Sequence, residues 1–170
     1  GSGVAYVQYK TPNSVNWETF TNGTLITTTQ TNGIYYFKCV DNAGNESSTV
    51  MIVFDTTKPT GTLFGGELEV GNNGKTNASY ICFVANDSLS GVKNIYVKKP
   101  NTGSYVSYIS GSQFAEEGTY YFYATDSAGN SSQTYSITLD KTAPTIGCLE
   151  TEMYSIYGLG FTVSVSDNDG

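Results

Sequence analysis

GTYYFYATDSAGNSSQTYSITLDKTAPT, residues 118–145, realigns without a gap on GIYYFKCVDNAGNESSTVMIVFDTTKPT, residues 33–60, at an offset of 85. Self-similarity at a fixed spacing is the mark of a repeat architecture, and it frames the rest of the reading. Outward from this block, SGVKNIYVKKPN at 90–101 realigns on SGVAYVQYKTPN at 2–13, and Tyr105, Tyr108 and Gly111 fall opposite Trp17, Phe20 and Gly23. The offset there is 88, so the two copies differ by a three-residue insertion or deletion. All four prolines keep the register, Pro12 with Pro100 and Pro59 with Pro144. After Pro144 a third copy begins: GFTVSVSDNDG at 160–170 matches YICFVANDSLS at 80–90 and sets Asp167 opposite Asp87. The expected organisation is a complete module over 57–141, a module over 1–56 whose first strands would precede residue 1, and the opening strands of a third over 142–170.

Alternation with a period of two marks the strands. In the complete module Ile81, Phe83 and Ala85 share one face of a strand over 79–86 and correspond to Phe161, Val163 and Val165. Tyr120, Phe122 and Ala124 form the inward set at 119–126, matched by Tyr35, Phe37 and Cys39, so a cysteine replaces a core alanine. At 134–140 the set is Tyr135, Ile137 and Leu139, matched by Val50, Ile52 and Phe54. DSAGNSS and DNAGNES join these last two strands; Gly and Asn tolerate the positive φ of a tight turn, and Asp can accept bonds from the turn amides. With further strands at 60–64, 93–98 and 105–109, the module has six or seven short strands, the pattern of a sandwich. The fold class read from the sequence is all-β, as tandem immunoglobulin-like β-sandwich modules.

Composition narrows the function. The chain has 170 residues with a net charge of −7 and no cluster of Lys or Arg, which argues against a nucleic-acid partner. No 18-residue apolar stretch offers a membrane span. There is no His, which removes the commonest general base and most zinc sites, so the chain is expected not to be an enzyme. Glu116 and Glu117 are adjacent, so in a strand they would point to opposite faces, and a glycosidase pair is not supported. Cys39, Cys82 and Cys148 are odd in number and widely spaced, and are expected as unpaired core thiols.

The DxAGNxS turn at 41–47 and 126–132, followed by a strand and then DTTKP or DKTAP, resembles the immunoglobulin-like repeats of bacterial surface proteins and of the accessory regions of secreted enzymes. NDSLSGV at 86–92 adds to the likeness. The resemblance implies an extracellular chain, at a cell surface or cell wall or secreted, acting as a non-catalytic spacer that presents other domains beside neighbouring modules. In similar adhesin modules the turn and junction Asp residues bind calcium. The positions that match are Asp41 and Asp126 in the turns and Asp55 and Asp140 at the strand ends, with Asp87, Asp167 and Asp169 as further oxygen donors. Calcium takes six to eight oxygens, which carboxylates from a strand end, a turn and the next module could supply together at a junction. The bland alternative is that each turn Asp only accepts backbone hydrogen bonds.

Two other functions compete. An adhesin module would bind a glycan or a host protein through exposed aromatics, for which Tyr96, Tyr121, Tyr123 and above all Trp17 are the candidates. Trp17 has Tyr105 as its counterpart, however, and a position that recurs as an aromatic speaks for packing. The opening strands over 142–170 could also complete the first copy of another molecule by strand addition, giving head-to-tail self-association.

Overall fold

The computed structural model describes residues 1–27, 30–148 and 163–167, and every regular element among them is a β-strand. The first four, β1 (Val4–Lys10), β2 (Glu18–Phe20), β3 (Gly33–Asp41) and β4 (Val50–Phe54), form one antiparallel sheet in the order β2-β1-β3-β4. The next eight are β5 (Thr60–Gly65), β6 (Leu68–Val70), β7 (Gly74–Thr76), β8 (Ile81–Asn86), β9 (Val92–Lys98), β10 (Val106–Tyr108), β11 (Gly118–Asp126) and β12 (Tyr135–Leu139). They form two sheets, β10-β9-β11-β12-β7 and β6-β5-β8. A last pair, β13 (Thr145–Cys148) and β14 (Val163–Ser166), is antiparallel.

The two sheets of the middle segment face each other across one core, which makes this part a β-sandwich. Leu63, Ile81 and Phe83 come from one side and Ile95, Val97, Phe122, Ile137 and Leu139 from the other, all buried. Phe83 and Phe122 stack across the layers with ring centroids 5.0 Å apart. Alternation therefore places the residues as expected: Tyr120, Phe122 and Ala124 on β11 are all buried. Two short strands went unseen in the sequence. β6 returns on β5, and β7 runs parallel to β12 through Ile137↔Gly74 and Leu139↔Thr76.

The sheet of the first four strands repeats the register of β10-β9-β11-β12, with no counterpart of β7 among the described residues. Val7↔Cys39 and Tyr35↔Ile52 recur as Ile95↔Ala124 and Tyr120↔Ile137, and a bulge interrupts both ladders at the same place, between Val4 and Tyr6 and between Thr125 and Asp126. The Tyr35 hydroxyl donates to Thr31 O at 2.8 Å, as Tyr120 does to Glu116 O at 2.9 Å. The difference is the cover. Among the described residues no second sheet lies over the first one, so Ile52 is 51% exposed where Ile137 is 0%. For the same reason Cys39 is half-buried, and Cys82, on the outer face of β8, is half-buried as well: both thiols are free, but neither is the core thiol the sequence suggested.

β3 and β11 each begin with a glycine that no other residue can replace without strain. Gly118 has φ +128, and a methyl there would lie 2.7 Å from Cβ and Cγ of Pro100; Gly33, φ +145, stands 2.6 Å from Pro12 in the same sense. The strand enters against the proline ring, which explains why proline and glycine are repeated together. Gly118→Ala combines a left-sided φ with overpacking and is expected to destabilise the middle sandwich by about 2–4 kcal/mol, read from urea unfolding. A loss within experimental error would show that the proline can step aside.

Candidate metal centre

Asp55, Asp87 and Asp126 each bring a carboxylate oxygen within 4.8 Å of the other two, the one such group of metal-ligating side chains among the described residues. Three separate segments deliver them: the linker after β4, the loop after β8 and the end of β11. Asp126 is fully buried, Asp55 nearly so and Asp87 half-buried.

Each carboxylate is oriented by its own loop. In DSAGN the amide of Asn130 donates to Asp126 Oδ1 at 2.8 Å and its side-chain Nδ2 to Oδ2 at 2.8 Å, a turn closed with Gly129 at φ +98. In NDSLSG the amides of Leu89, Ser90 and Gly91 converge on Asp87 Oδ1 at 3.2, 3.0 and 2.8 Å. Asp55 Oδ1 accepts from Thr57 N at 2.8 Å, and Oδ2 accepts from Ser90 N at 3.2 Å, so Ser90 bridges two of the acids. Asn130 Nδ2 also donates to the backbone oxygen of Asp55 at 3.1 Å. Burial raises the Asp55 carboxyl pKa, but the bonds from Ser90 and Thr57 outweigh it and hold the net value below the usual carboxylate range. The group is thus kept as an anion beside two further acids.

From the other side, Asn32 grips the same linker. Its Oδ1 accepts from Thr56 N at 3.2 Å and Thr56 Oγ1 at 2.9 Å, and its Nδ2 donates to Thr57 Oγ1 at 2.8 Å. At the equivalent position Glu117 accepts from Lys141 N and, at 3.1 Å, from Thr142 Oγ1. Asn32 did not stand out in the sequence, and Glu117 did so only as half of a rejected acid pair, because Asn and Glu do the same task at one repeat position.

Of the four acids selected from the sequence, the structure brings Asp55 and Asp126 together and adds Asp87 from the further donors. Asp41 sits apart and half-buried in the corresponding turn, where Asn45 N and Nδ2 donate to it at 2.8 and 2.9 Å. Asp140 accepts from Thr142 N at 3.1 Å, as Asp55 does from Thr57, but joins no trio. Asp167 is exposed, and Asp169 lies outside the described residues.

The side-chain and backbone hydrogen bonds of Asn45 pull the Asp41 pKa down to about 2, below an ordinary value near 3.9. A depressed folded-state pKa contributes stability that is complete above about pH 4 and is lost as pH falls toward 2. The side-chain carbon of Asp41, followed by NMR, is expected to titrate near 2 and the Asn45 amide shift to move with it. A midpoint near 4 would show that the turn bonds are not held in solution.

The aromatic candidates are engaged with their neighbours. Lys38 and Lys10 place their ammonium groups 4.8 and 5.6 Å from the Trp17 ring centroid, and Lys38 also pairs with Glu46 at 2.8 Å. Tyr96 and Tyr123 stack at 4.8 Å with Tyr105 edge-on at 4.9 Å, and Lys98 lies 4.4 Å over Tyr121. These contacts use ring faces that a sugar would need. No helix among the described residues is long and apolar enough to cross a membrane. No family model matches this chain, and no curated protein matches it.

Proposed function

We propose that this chain is a non-catalytic structural spacer of a bacterial cell-surface or secreted protein, made of tandem immunoglobulin-like modules over 1–56, 57–141 and 142–170, which holds other domains in place. The observation that carries the reading is the junction: Asp55 is buried in the following module through Ser90 and Asn130, while Asn32 grips the next two residues from the preceding one. A linker fixed from both ends transmits orientation, which a spacer needs and a tether does not. The immunoglobulin-like part of the reading is supported by the two facing sheets and by the Tyr120 hydroxyl bonded back to Glu116, the arrangement known as a tyrosine corner. Adhesion to a glycan or a host protein is the second reading, and the filled ring faces at Trp17, Tyr121 and Tyr123 weigh against it.

Calcium fits the donor set at the junction. Asp55, Asp87 and Asp126 offer only oxygen ligands, two of them buried, and a divalent cation would offset the repulsion among three neighbouring anions. When bound, the ion would supply cross-linking between linker and module, with no reaction assigned to it.

The test is a distance across the junction. Spin labels at Glu18→Cys and Thr102→Cys, with Cys39, Cys82 and Cys148 changed to alanine, are expected to give one narrow distance distribution. Asn130→Ala should broaden it, and a broad distribution in the parent would overturn the spacer reading. In parallel, calcium at a hundredfold above its Kd should stabilise the middle module by about 2.7 kcal/mol. An unchanged melting temperature in calcium and in chelator would remove the ion and leave the hydrogen-bonded junction.

A further inference from the structure

We propose that Asn32 is a self-modification site that sets the lifetime of the first junction: attack by the Gly33 amide converts it to isoaspartate, and the linker is released. The chemistry stands on local geometry alone, whereas its consequence for the linker rests on the spacer reading.

Asn-Gly is the dipeptide most open to this reaction, because glycine puts no side chain in the way of its own nitrogen. The glycine nitrogen loses its proton and bonds to the asparagine Cγ, the Cγ–Nδ2 bond breaks, and ammonia leaves. Water then opens the resulting ring at either carbonyl. One opening gives aspartate and the other isoaspartate, whose backbone runs through the former side chain.

The chain has three such pairs, Asn22-Gly23, Asn32-Gly33 and Asn73-Gly74, and the structure separates them. Asn22 and Gly23 are exposed in a turn closed by Thr24 N on Thr21 O, and among the described residues the Gly23 amide has no partner. Gly74 N is engaged, donating to Gly71 O at 2.9 Å. At Asn32 both reacting groups are held. Cys39 bonds Ser47 through both its N and its O, and every second residue of β3 turns the same way, so the Gly33 amide faces its ladder partner Phe54. The Asn32 side chain is tied to the linker by Thr56 N, Thr56 Oγ1 and Thr57 Oγ1. Attack therefore requires the clasp and the first rung of the ladder to open together, so the rate at Asn32 measures how often the junction opens.

The two products differ in what they do to the clasp. Aspartate keeps the acceptor for Thr56 and loses only the Nδ2 donor, which the Thr57 hydroxyl offsets by donating, as Thr142 Oγ1 donates to Glu117. A carboxylate clasp is thus one that the chain already uses at the same repeat position. Isoaspartate lengthens the backbone ahead of Gly33 by one carbon, about 1.5 Å. Gly33 has no room for it: the residue is buried at φ +145, and a methyl there would lie 2.6 Å from Cβ and Cγ of Pro12. Because β3 is bonded to both β1 and β4, the displacement falls on the clasp. The second junction lacks this chemistry, since Glu117-Gly118 has no amide to lose. Ageing is confined to one of the two linkers.

The test holds the 170-residue chain in mildly alkaline buffer, with peptide mass mapping to follow conversion at each pair and an isoaspartate-specific methyltransferase to count that product. Asn22 is expected to convert at least about tenfold faster than Asn32, and in strong urea the two rates should meet. Thr57→Val, at an exposed position, removes the Nδ2 acceptor and should raise the Asn32 rate several-fold while the Asn22 rate stays as it was. The consequence is read in an Asn22→Ser background, which copies Ser110 of the next repeat, with spin labels at Glu18→Cys and Thr102→Cys attached after ageing. The isoaspartyl fraction should appear as a second, broader distance population, while Asn32→Asp keeps the single narrow one. Conversion of Asn32 as fast as Asn22 in the folded chain overturns the proposal. So does a Thr57→Val rate no higher than wild type, or an isoaspartyl chain whose distances stay narrow. A distribution already broad before ageing sinks the spacer reading instead, and the rate comparison still decides the chemistry at Asn32.

Discussion

Ile137→Ala is expected to cost about 3–4 kcal/mol of stability, while Ile52→Ala, the same position one repeat earlier, is expected to cost about 1 or less. Both isoleucines sit opposite an equivalent tyrosine, Tyr120 for Ile137 and Tyr35 for Ile52, so that pairing cancels in the comparison, and what β7 adds beside Ile137 is backbone bonding that alanine keeps. What differs is the cover: Ile137 is 0% exposed beneath the second sheet and Ile52 is 51% exposed. At the first, alanine loses the transfer energy of the removed carbons and leaves a cavity that packed neighbours cannot close. At the second, half of the transfer energy was never gained and water fills the space. The measurement is urea unfolding at a concentration low enough to keep the chain monomeric, with resolved amide signals assigning each transition to its sheet. Equal costs at the two sites would mean that the first sheet is covered in solution by a surface absent from the monomer.

That asymmetry also marks how far the sequence could be read. Every strand with a buried face was legible, because burial imposes the period of two: Ile81, Phe83 and Tyr120, Phe122, Ala124 announce β8 and β11 directly. β6 and β7 were not legible. They come from the polar stretch GELEVGNNGKTN, and β7 is placed by parallel bonds to β12 rather than by burial of its own side chains. Gly74 there is confined against Val70 and Gly71, a backbone constraint that no alternation reveals.

The acid cluster was half legible for a different reason. Repeat alignment picks out Asp41 with Asp126 and Asp55 with Asp140 as equivalent pairs, but equivalence says nothing of which acids meet. In the structure the linker acid packs on the module that follows it, so Asp55 joins the turn acid of the next copy, Asp126, and not that of its own, Asp41. Asp87 completes the trio because its loop amide at Ser90 is shared with Asp55. The direction in which a linker folds back is a tertiary fact, written in no local pattern.

The second large effect follows from that placement. Asp126→Ala is expected to cost about 3 kcal/mol in the middle module and to broaden the distance distribution across the junction, because a buried acceptor of two bonds from Asn130 disappears. Asn130 Nδ2, no longer held by Asp126, would also lose its aim at the Asp55 carbonyl. Working against this, one of three mutually repelling anions is removed, which by itself stabilises. Asp126→Asn separates the two contributions: it removes the charge and keeps an oxygen for the Asn130 amide, but turns the bond to Nδ2 into a donor meeting a donor. If hydrogen bonding dominates, the asparagine variant falls between wild type and alanine and the junction still loosens. If repulsion dominates, asparagine is neutral or stabilising in chelator, and only calcium binding is lost. Asp41→Ala removes the same turn bonds at a half-buried site that meets no linker acid, so it should leave the junction distance unchanged. A junction disturbed equally by the Asp41 and Asp126 alanine variants would break the connection drawn between the buried turn acid and the stiffness of the linker.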